Sequence, residues 1–415
     1  MAVSSALALY RRLPEEARRC LRPLNLVDEL ASALPGRLRT PVETATELLR
    51  RVRRLRRTVY PLRRLSGPSR VGGFALSCLL AADDLSVRYW GQTLFAVPPL
   101  EARLGEVRAL DVRAAAAELA ATADLSLWQT SWPFWAAARG AARVPAWIPL
   151  GLATDRPLEA IVHGERSGRA ARKNDIRRID RLGVTVRVTR DARVWEDFRR
   201  RLYEPYVTRR FADLAVPVPR HVFRHVRRRG WLLLLEREAR PIAGAVLERV
   251  GRDVRVVVFG ADLGADVAPT TGIEACYYHA IRFAVGRGFH RLGLGTCRPV
   301  LTDGVLRYKR KWGAALDRPN TWDAWFLRYR HTPAVRAALT GAPILVDRGG
   351  RLVALAGVEE SGLEAQLERI EAPGLDELAC LVDDGALVPD VVPRHAALRI
   401  VPPGEVWPRE ATAAA

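Results

Sequence analysis

Lys309 and Lys311 stand two positions apart in the stretch Asp303-Gly-Val-Leu-Arg-Tyr-Lys-Arg-Lys-Trp-Gly-Ala314, in a chain that carries 63 arginines and only three lysines. Where a bare positive charge suffices this sequence uses arginine, so a surviving lysine marks a need for a compact, rotatable ammonium. Placed on a helix, Val305, Tyr308 and Trp312 share one face while Lys309 and Arg310 project from its flank, which predicts a buried anchor presenting cations at the edge of a cleft. Such an ammonium can hold a phosphate or stabilise the oxyanion of acyl transfer; a solvated basic face has the same pattern. The loop Gly293-Leu-Gly-Thr-Cys-Arg-Pro299 just upstream places Arg298 beside it.

A second cationic stretch runs from Arg166 to Arg181, with Arg166, Arg169, Lys173, Arg177 and Arg181 in one helical stripe. The stripe fits phosphate contacts, and equally a solvent-exposed helix joining two domains. Thr270, Thr271 and Gly272 open a helix where the threonines can cap the first turn and touch a phosphate. Glu274 and Asp303 are candidate bases for an amine, with capping and dipole roles as the other reading of the same carboxylates. His279 and His290 have no partner at triad spacing. Cys276 and His279 have no second pair to complete a metal site, Cys297 has no histidine placed to activate it, and the five cysteines are scattered. Neither a disulfide framework nor a metal is expected.

These residues have to be positioned by folded elements. Trp195 to Arg210 and Arg220 to Arg229 read as helices, and Trp231 to Glu238, Ile242 to Val250 and Asp253 to Phe259 as a three-strand meander. A helix at Ile273 to Val285, a strand at Arg291 to Gly295, a helix at Asp303 to Trp312 and a strand at Thr321 to Arg328 follow. The preceding half repeats the order: a hairpin over Gly72 to Ala81 and Ser86 to Val97, a helix at Arg113 to Ala121, a strand at Leu125 to Trp132, a helix at Pro133 to Ala142 and a strand at Pro145 to Leu152. Two tandem copies of one α/β unit are suggested. After Thr332 the pattern breaks into a hairpin over Ile344 to Leu355, an acidic helix at Glu359 to Glu371 and a Pro-rich end expected to be poorly ordered.

Together, Ser167-Gly-Arg-Ala-Ala-Arg-Lys-Asn-Asp-Ile-Arg-Arg178 with Gly183 to Arg187, Pro241-Ile-Ala-Gly-Ala245, Ala275 to Gly288, and Tyr308-Lys309 with Trp312-Gly313 resemble the GNAT superfamily and, within it, the FemAB-like branch of tandem-GNAT acyltransferases. The resemblance covers about residues 145 to 330. It implies an α/β (α+β) fold of two GNAT-like domains, each a mixed, mostly antiparallel sheet flanked by helices, with substrates meeting near the splayed central strands of the second. The domain reading that follows is a basic helical arm over 1–70, a degenerate GNAT-like domain over 71–160, a linker helix and strand over 161–190, a second GNAT-like domain over 191–331 and a dispensable acidic extension over 332–415.

The activity implied is N-acyl transfer from an activated donor to an amine, with Lys309, Tyr308 and Glu274 in catalysis and Arg298, Arg310, Lys311, Thr271, Gly272, Arg169 and Lys173 on the donor. One departure stands out. GNAT enzymes that use acetyl-CoA carry an R/Q-x-x-G-x-G/A loop for the pyrophosphate, and the equivalent stretch here reads Gly260-Ala-Asp-Leu-Gly-Ala-Asp-Val-Ala-Pro-Thr-Thr-Gly272. That leaves room for aminoacyl-tRNA as donor in place of acyl-CoA. No resident cofactor is expected. A non-catalytic nucleic-acid-binding protein on the same scaffold is the alternative.

The charge fits a polyanionic partner: the 415-residue chain has a net charge of +20. It is unevenly spread, with 16 arginines against 6 acids in residues 1–70 and 7 against 13 in residues 332–415. With 49% hydrophobic residues the chain can build a sizeable core, and no apolar run reaches the ~20 residues of a membrane span. A cytoplasmic protein with tRNA as a candidate partner is the expectation.

Overall fold

A computed structural model describes residues 58–131, 141–163, 169–265, 268–319, 323–359, 363–382 and 397–401. The expected basic helix around Arg50 to Arg57 and the helix at 133–142, all but its last two residues, lie outside them. The described residues of 60–107 and 112–401 belong to one compact unit; in the other, Ala109 N donates to Thr58 O at 2.9 Å.

Among the described residues the fold is mixed α/β and contains two sheets. The larger has ten strands: β1 (Val59–Pro68), β2 (Ala75–Ala81), β3 (Leu100–Arg108), β4 (Leu125–Ser131), β5 (Ala142–Pro145), β13 (Asp323–Tyr329), β14 (Ile344–Arg348), β15 (Arg351–Gly357), β16 (Glu377–Leu381) and β17 (Ala397–Val401). The smaller has seven: β6 (Ile148–Ala153), β7 (Thr185–Thr189), β8 (Gly230–Arg237), β9 (Arg240–Val250), β10 (Asp253–Ala261), β11 (Arg291–Cys297) and β12 (Ala315–Leu316).

The second half follows the sequence pattern closely. The meander β8-β9-β10 is antiparallel and turns at Glu238 and Ala239, both at positive φ, and at Gly251. Helix α8 (Pro269–Gly286) then crosses over to β11, which pairs parallel to β10. Buried Ala275, Cys276, Ala280, Ile281 and Ala284 press its apolar side onto the sheet. The opposite face is covered by α5 (Ala192–Phe198), a π-helical turn (Arg199–Tyr203), α6 (Glu204–Phe211) and α7 (Arg220–Arg227) around Trp195, Phe198, Leu202, Tyr203 and Val226. Gly260 lets that π turn approach: a Cβ there would lie 2.8 Å from Leu202 C and 2.8 Å from Tyr203 N. Both obstacles are backbone and cannot swing aside. We expect Gly260→Ala to cost about 1–3 kcal/mol, read as a lower urea midpoint with unchanged slope.

The first half departs from expectation at Ser86 to Val97, which is largely helix α1 (Asp84–Leu94) and not a hairpin strand. Asp83 is the reason: its carboxylate accepts from Ser86 N at 2.7 Å, making it a helix cap where Asp83-Asp84 had suggested a turn. The hairpin instead joins β1 to β2, so residues 59–68 of the presumed arm are sheet. Helix α2 (Val112–Leu119) precedes β4 as expected.

Two strands are exchanged between the halves. The sixth strand, from the first half of the sequence, pairs with β11 and β12 in the smaller sheet, whereas β13, from the second half, is inserted between β4 and β5 of the larger one. The C-terminal region is equally built in. Helix α10 (Pro333–Gly341) and strands β14 to β17 extend the larger sheet, with Asp347 opposite Arg143 and the two side chains ion-paired. Ala397–Val401, within the end expected to be poorly ordered, pairs parallel to β16. The described residues of 332–401 are thus no appendage: their apolar side chains lie in both main cores.

Candidate functional site

Strands β10 and β11 are in register only at Val254 with Leu292 and Arg255 with Gly293, and then part. Each strand is irregular at the parting, β10 between Val256 and Val258 and β11 between Gly293 and Thr296. Gly295 takes φ +74 there, a conformation L side chains resist. The result is a wedge between two parallel strands beside Gly295, within reach of the Val256 carbonyl.

Lys309 fills this wedge. It sits on α9 (Gly304–Lys311), which Asp303 caps by accepting from Val305 N and Leu306 N. Helical side chains lean toward the N-terminus, so the Lys309 stem runs back to the strand ends. Its Nζ donates to Thr296 O at 2.8 Å, and a Cβ on Gly295 would lie 3.6 Å from that Nζ and 3.7 Å from Val256 O. Lys309 is only 4% exposed, not at a cleft edge as its spacing suggested. Burial pulls its pKa from 10.5 to about 8, opposed by Cys297 and Asp303. Burial pushes the Cys297 thiol up to about 12, and Sγ leans on Ile148 O at 3.6 Å, the setting of an inert thiol.

The other candidates divide sharply. Tyr308 is half-buried beside Tyr277, with ring centroids 5.1 Å apart, and Tyr277 stacks on Phe259 at 4.3 Å. Tyr277 of α8 and Tyr308 of α9 thus meet edge to ring, and desolvation raises the Tyr308 phenol far above its ordinary range. Glu274 is buried and ion-paired with Arg178 of α4 (Arg169–Leu182). Arg178 also reaches Asp175 at 3.2 Å, and Asp175 pairs with Lys311, so Glu274, Arg178, Asp175 and Lys311 form one chain of charges from α8 through α4 to α9. Arg310 donates to the carbonyls of Arg369 and Glu371 and ties α9 to the C-terminal helix α11 (Leu363–Ile370). Thr271 and Gly272 are buried, and both their amides return to Ala268 O, so two N–H groups of the α8 first turn are already engaged. A Cβ on Gly272 would press on Ala243 Cβ at 3.1 Å, the mark of a packing glycine.

On α4, Lys173, Arg177 and Arg181 are exposed, while Arg169 opens the helix with a side chain outside the description. The opposite face of the helix was not legible as functional. Arg172 there is 1% exposed, donating from Nε to Val162 O at 2.9 Å and from Nη1 to Lys311 O at 2.6 Å. Arg172, Asp175 and Ile179, spaced 3 and 4 apart, are its buried stripe, hidden in sequence because both faces are charged. Arg298 leaves β11 and lies against Trp147, Tyr89 and Trp325, with Cζ 4.3, 4.9 and 6.0 Å from the ring centroids.

A separate recess of about 370 Å³ lies under α5, lined by Arg187, Phe198, Arg201, Leu234, Arg240 and Asp262 among others. Arg240 is paired with Asp262 and Arg187 with Glu236. Among the described residues no cluster of three His, Cys, Asp or Glu side chains could hold a metal, and no helix is long and apolar enough to cross a membrane.

No family model and no curated protein matches the chain. Similar solved structures include L-PGS from Bacillus licheniformis, at 11% identity and TM-score 0.34, covering 64% of this chain and 84% of that one. FemX, at 11% identity and TM-score 0.35, covers 62% and 81% respectively. A GCN5-related N-acetyltransferase from Anabaena variabilis, at 10% identity and TM-score 0.26, covers 72% of each chain. These likenesses concern the fold and not the residues of the wedge.

Proposed function

We propose that the chain is a GNAT-fold, FemAB-like N-acyltransferase that moves an acyl or aminoacyl group from an activated ester or thioester to an amine. The observation that carries this reading is the Lys309 ammonium, buried between two parting strands with one N–H on Thr296 O. An ammonium has three donors, so two remain for a carbonyl oxygen brought into the wedge. When the amine attacks, its nitrogen bonds to the acyl carbon and negative charge grows on that oxygen. A buried cation stabilises it more than water can. Collapse breaks the bond to the leaving oxygen or sulfur, which takes up a proton as the new amide's nitrogen loses one. Tyr308 packs α9 against Tyr277 of α8, and Glu274, held by Arg178, positions α8 against α4.

Between the donors, aminoacyl-tRNA is favoured. The first turn of α8 opens on Pro269, which has no N–H, and the Thr271 amide is engaged by Ala268 O, which weakens it as a pyrophosphate site, while the exposed cations of α4 suit a phosphate backbone. For ~5 phosphate contacts, affinity for bulk tRNA should fall roughly 500-fold from about 50 to about 200 mM salt. Binding of acetyl-CoA should weaken about tenfold or less over that range. Filter binding and calorimetry at both salts check this, and tight, salt-insensitive acetyl-CoA binding without tRNA retention would reverse the preference. In transfer assays with radiolabelled aminoacyl-tRNA and acetyl-CoA against a panel of amines, Lys309→Met should lose about 10²–10³-fold in rate. Transfer at the wild-type rate by that variant would sink the reading.

A further inference from the structure

Arg298 is the one member of the site whose charge the fold surrounds with rings. Tyr89 comes from α1, Trp325 from β13 and Trp147 from the β5–β6 connection, so rings from three separate segments converge on the guanidinium that leaves the end of β11. Tyr89 and Trp325 are buried and are braced edge-on by Trp90, at centroid distances of 5.3 and 5.4 Å. Among the described residues no carboxylate pairs with the guanidinium and no carbonyl accepts from it.

Two acids are near enough to act on it, Asp83 and Asp303, but both are occupied as helix caps. Asp83 serves Ser86 N and Gln129 Nε2, and Asp303 serves Val305 N and Leu306 N. The rings gather around the guanidinium, and among the described residues its N–H groups are left without an acceptor. Burial lowers the Arg298 pKa from the guanidinium range, opposed by Tyr89, Asp83 and Asp303, a desolvation that an incoming anion would offset. Asp303 also acts on Lys309 and Cys297, which places Arg298 in the same neighbourhood as the wedge.

We propose that Arg298 is an anion-binding residue of this site, taking a carboxylate or a phosphate carried by a substrate on its N–H groups while the rings gather around the guanidinium. The placement beside the reacting carbonyl rests on the transferase reading; the binding itself does not. A planar, two-pronged donor suits either oxyanion, and a lysine ammonium reproduces neither the fork nor the guanidinium's contact with the rings.

The test needs no turnover. Tryptophan emission of the full chain is titrated with potassium phosphate and, separately, potassium acetate, with ionic strength held constant by potassium chloride. Wild type, Trp147→Phe, Arg298→Lys and Arg298→Gln are compared, and melting temperatures are recorded in the same buffers. We expect a saturable response that is reduced in Trp147→Phe, with an apparent Kd at least tenfold weaker in Arg298→Gln and Arg298→Lys. A stronger phosphate response identifies a phosphate-bearing substrate, and a stronger acetate response a carboxylate. If neither anion alters emission or melting in wild type, or if Arg298→Gln responds as wild type does, the proposal is overturned. Loss of transfer in Lys309→Met with an intact anion response would leave each conclusion separately judged.

Discussion

A chain ended after Arg330 is expected to be recovered in the insoluble fraction. The removed segment places Val335, Leu339, Ile344, Val346, Val353 and Leu355 in one core and Leu345, Leu352, Leu367, Ile370, Leu375 and Leu378 in the other. Each such side chain contributes roughly 1.5–3 kcal/mol by burial, and losing them opens the facing apolar surface of both cores to water, the setting of aggregation. Backbone pairing is lost as well: Leu345 N donates to Pro299 O and Leu301 N to Pro343 O, both at the loop that carries Arg298. The check is the soluble fraction and urea melt of the 1–330 chain. A soluble product with a cooperative transition at the full-length midpoint would show that the tail only leans on the body.

Raising the pH should stabilise this protein through Lys309, and Lys309→Met should abolish that gain. The folded pKa of Lys309, about 8, lies below the 10.5 of an exposed lysine. Between those values the unfolded chain holds more protons, so the cost of burying the ammonium is present in full below pH 8 and is relieved as pH rises toward 10.5. The whole relief amounts to about 3 kcal/mol, of which about 2 falls between pH 8 and 9.5. Cys78, Cys276, Cys297 and Cys380 work the other way, because burial raises their thiols and the unfolded chain ionises first above pH 9. Both proteins share those thiols, so the difference between them isolates Lys309. At pH 7 the Met variant should be at least as stable as wild type, since losing one hydrogen bond costs about 1 kcal/mol. Urea titrations of both proteins at pH 7, 8.5 and 9.5 decide it; parallel curves would mean that Lys309 is not desolvated.

Much of the wedge's frame could be read from local signals. Asp303 announces α9 as a cap, the Glu238 to Pro241 and Gly251 turns separate the meander, and the scarcity of lysine singles out Lys309. What escaped depends on partners far away in sequence. The depth of Lys309 arises from two strands parting and from a tail packed behind α9, and neither leaves a mark on the residues around position 309. Arg310 and Lys311 looked like its companions, yet one braces α11 and the other Asp175. Strands β6 and β13 were visible as apolar runs, but nothing in their composition says which sheet they enter. The misread α1 shows a local ambiguity of another kind, an acidic pair that serves equally as turn or cap.

The exchange of β6 and β13 also sets the order in which the chain can become itself during synthesis. Ile148 lies 149 residues before Cys297, whose thiol reaches its carbonyl, and Ser131 lies 192 residues before Asp323, whose carboxylate receives its hydroxyl. At ~5–20 residues per second, β6 leaves the ribosome roughly 10–30 s before its partner exists. Through that interval a strand of Ile148, Leu150 and Leu152 waits with both edges open, a target for chaperones or for a neighbouring nascent chain. The first half cannot mature as a unit before the second half is made. Each sheet stays incomplete until the ribosome has passed residue 316, and the larger closes only after its last strand is released.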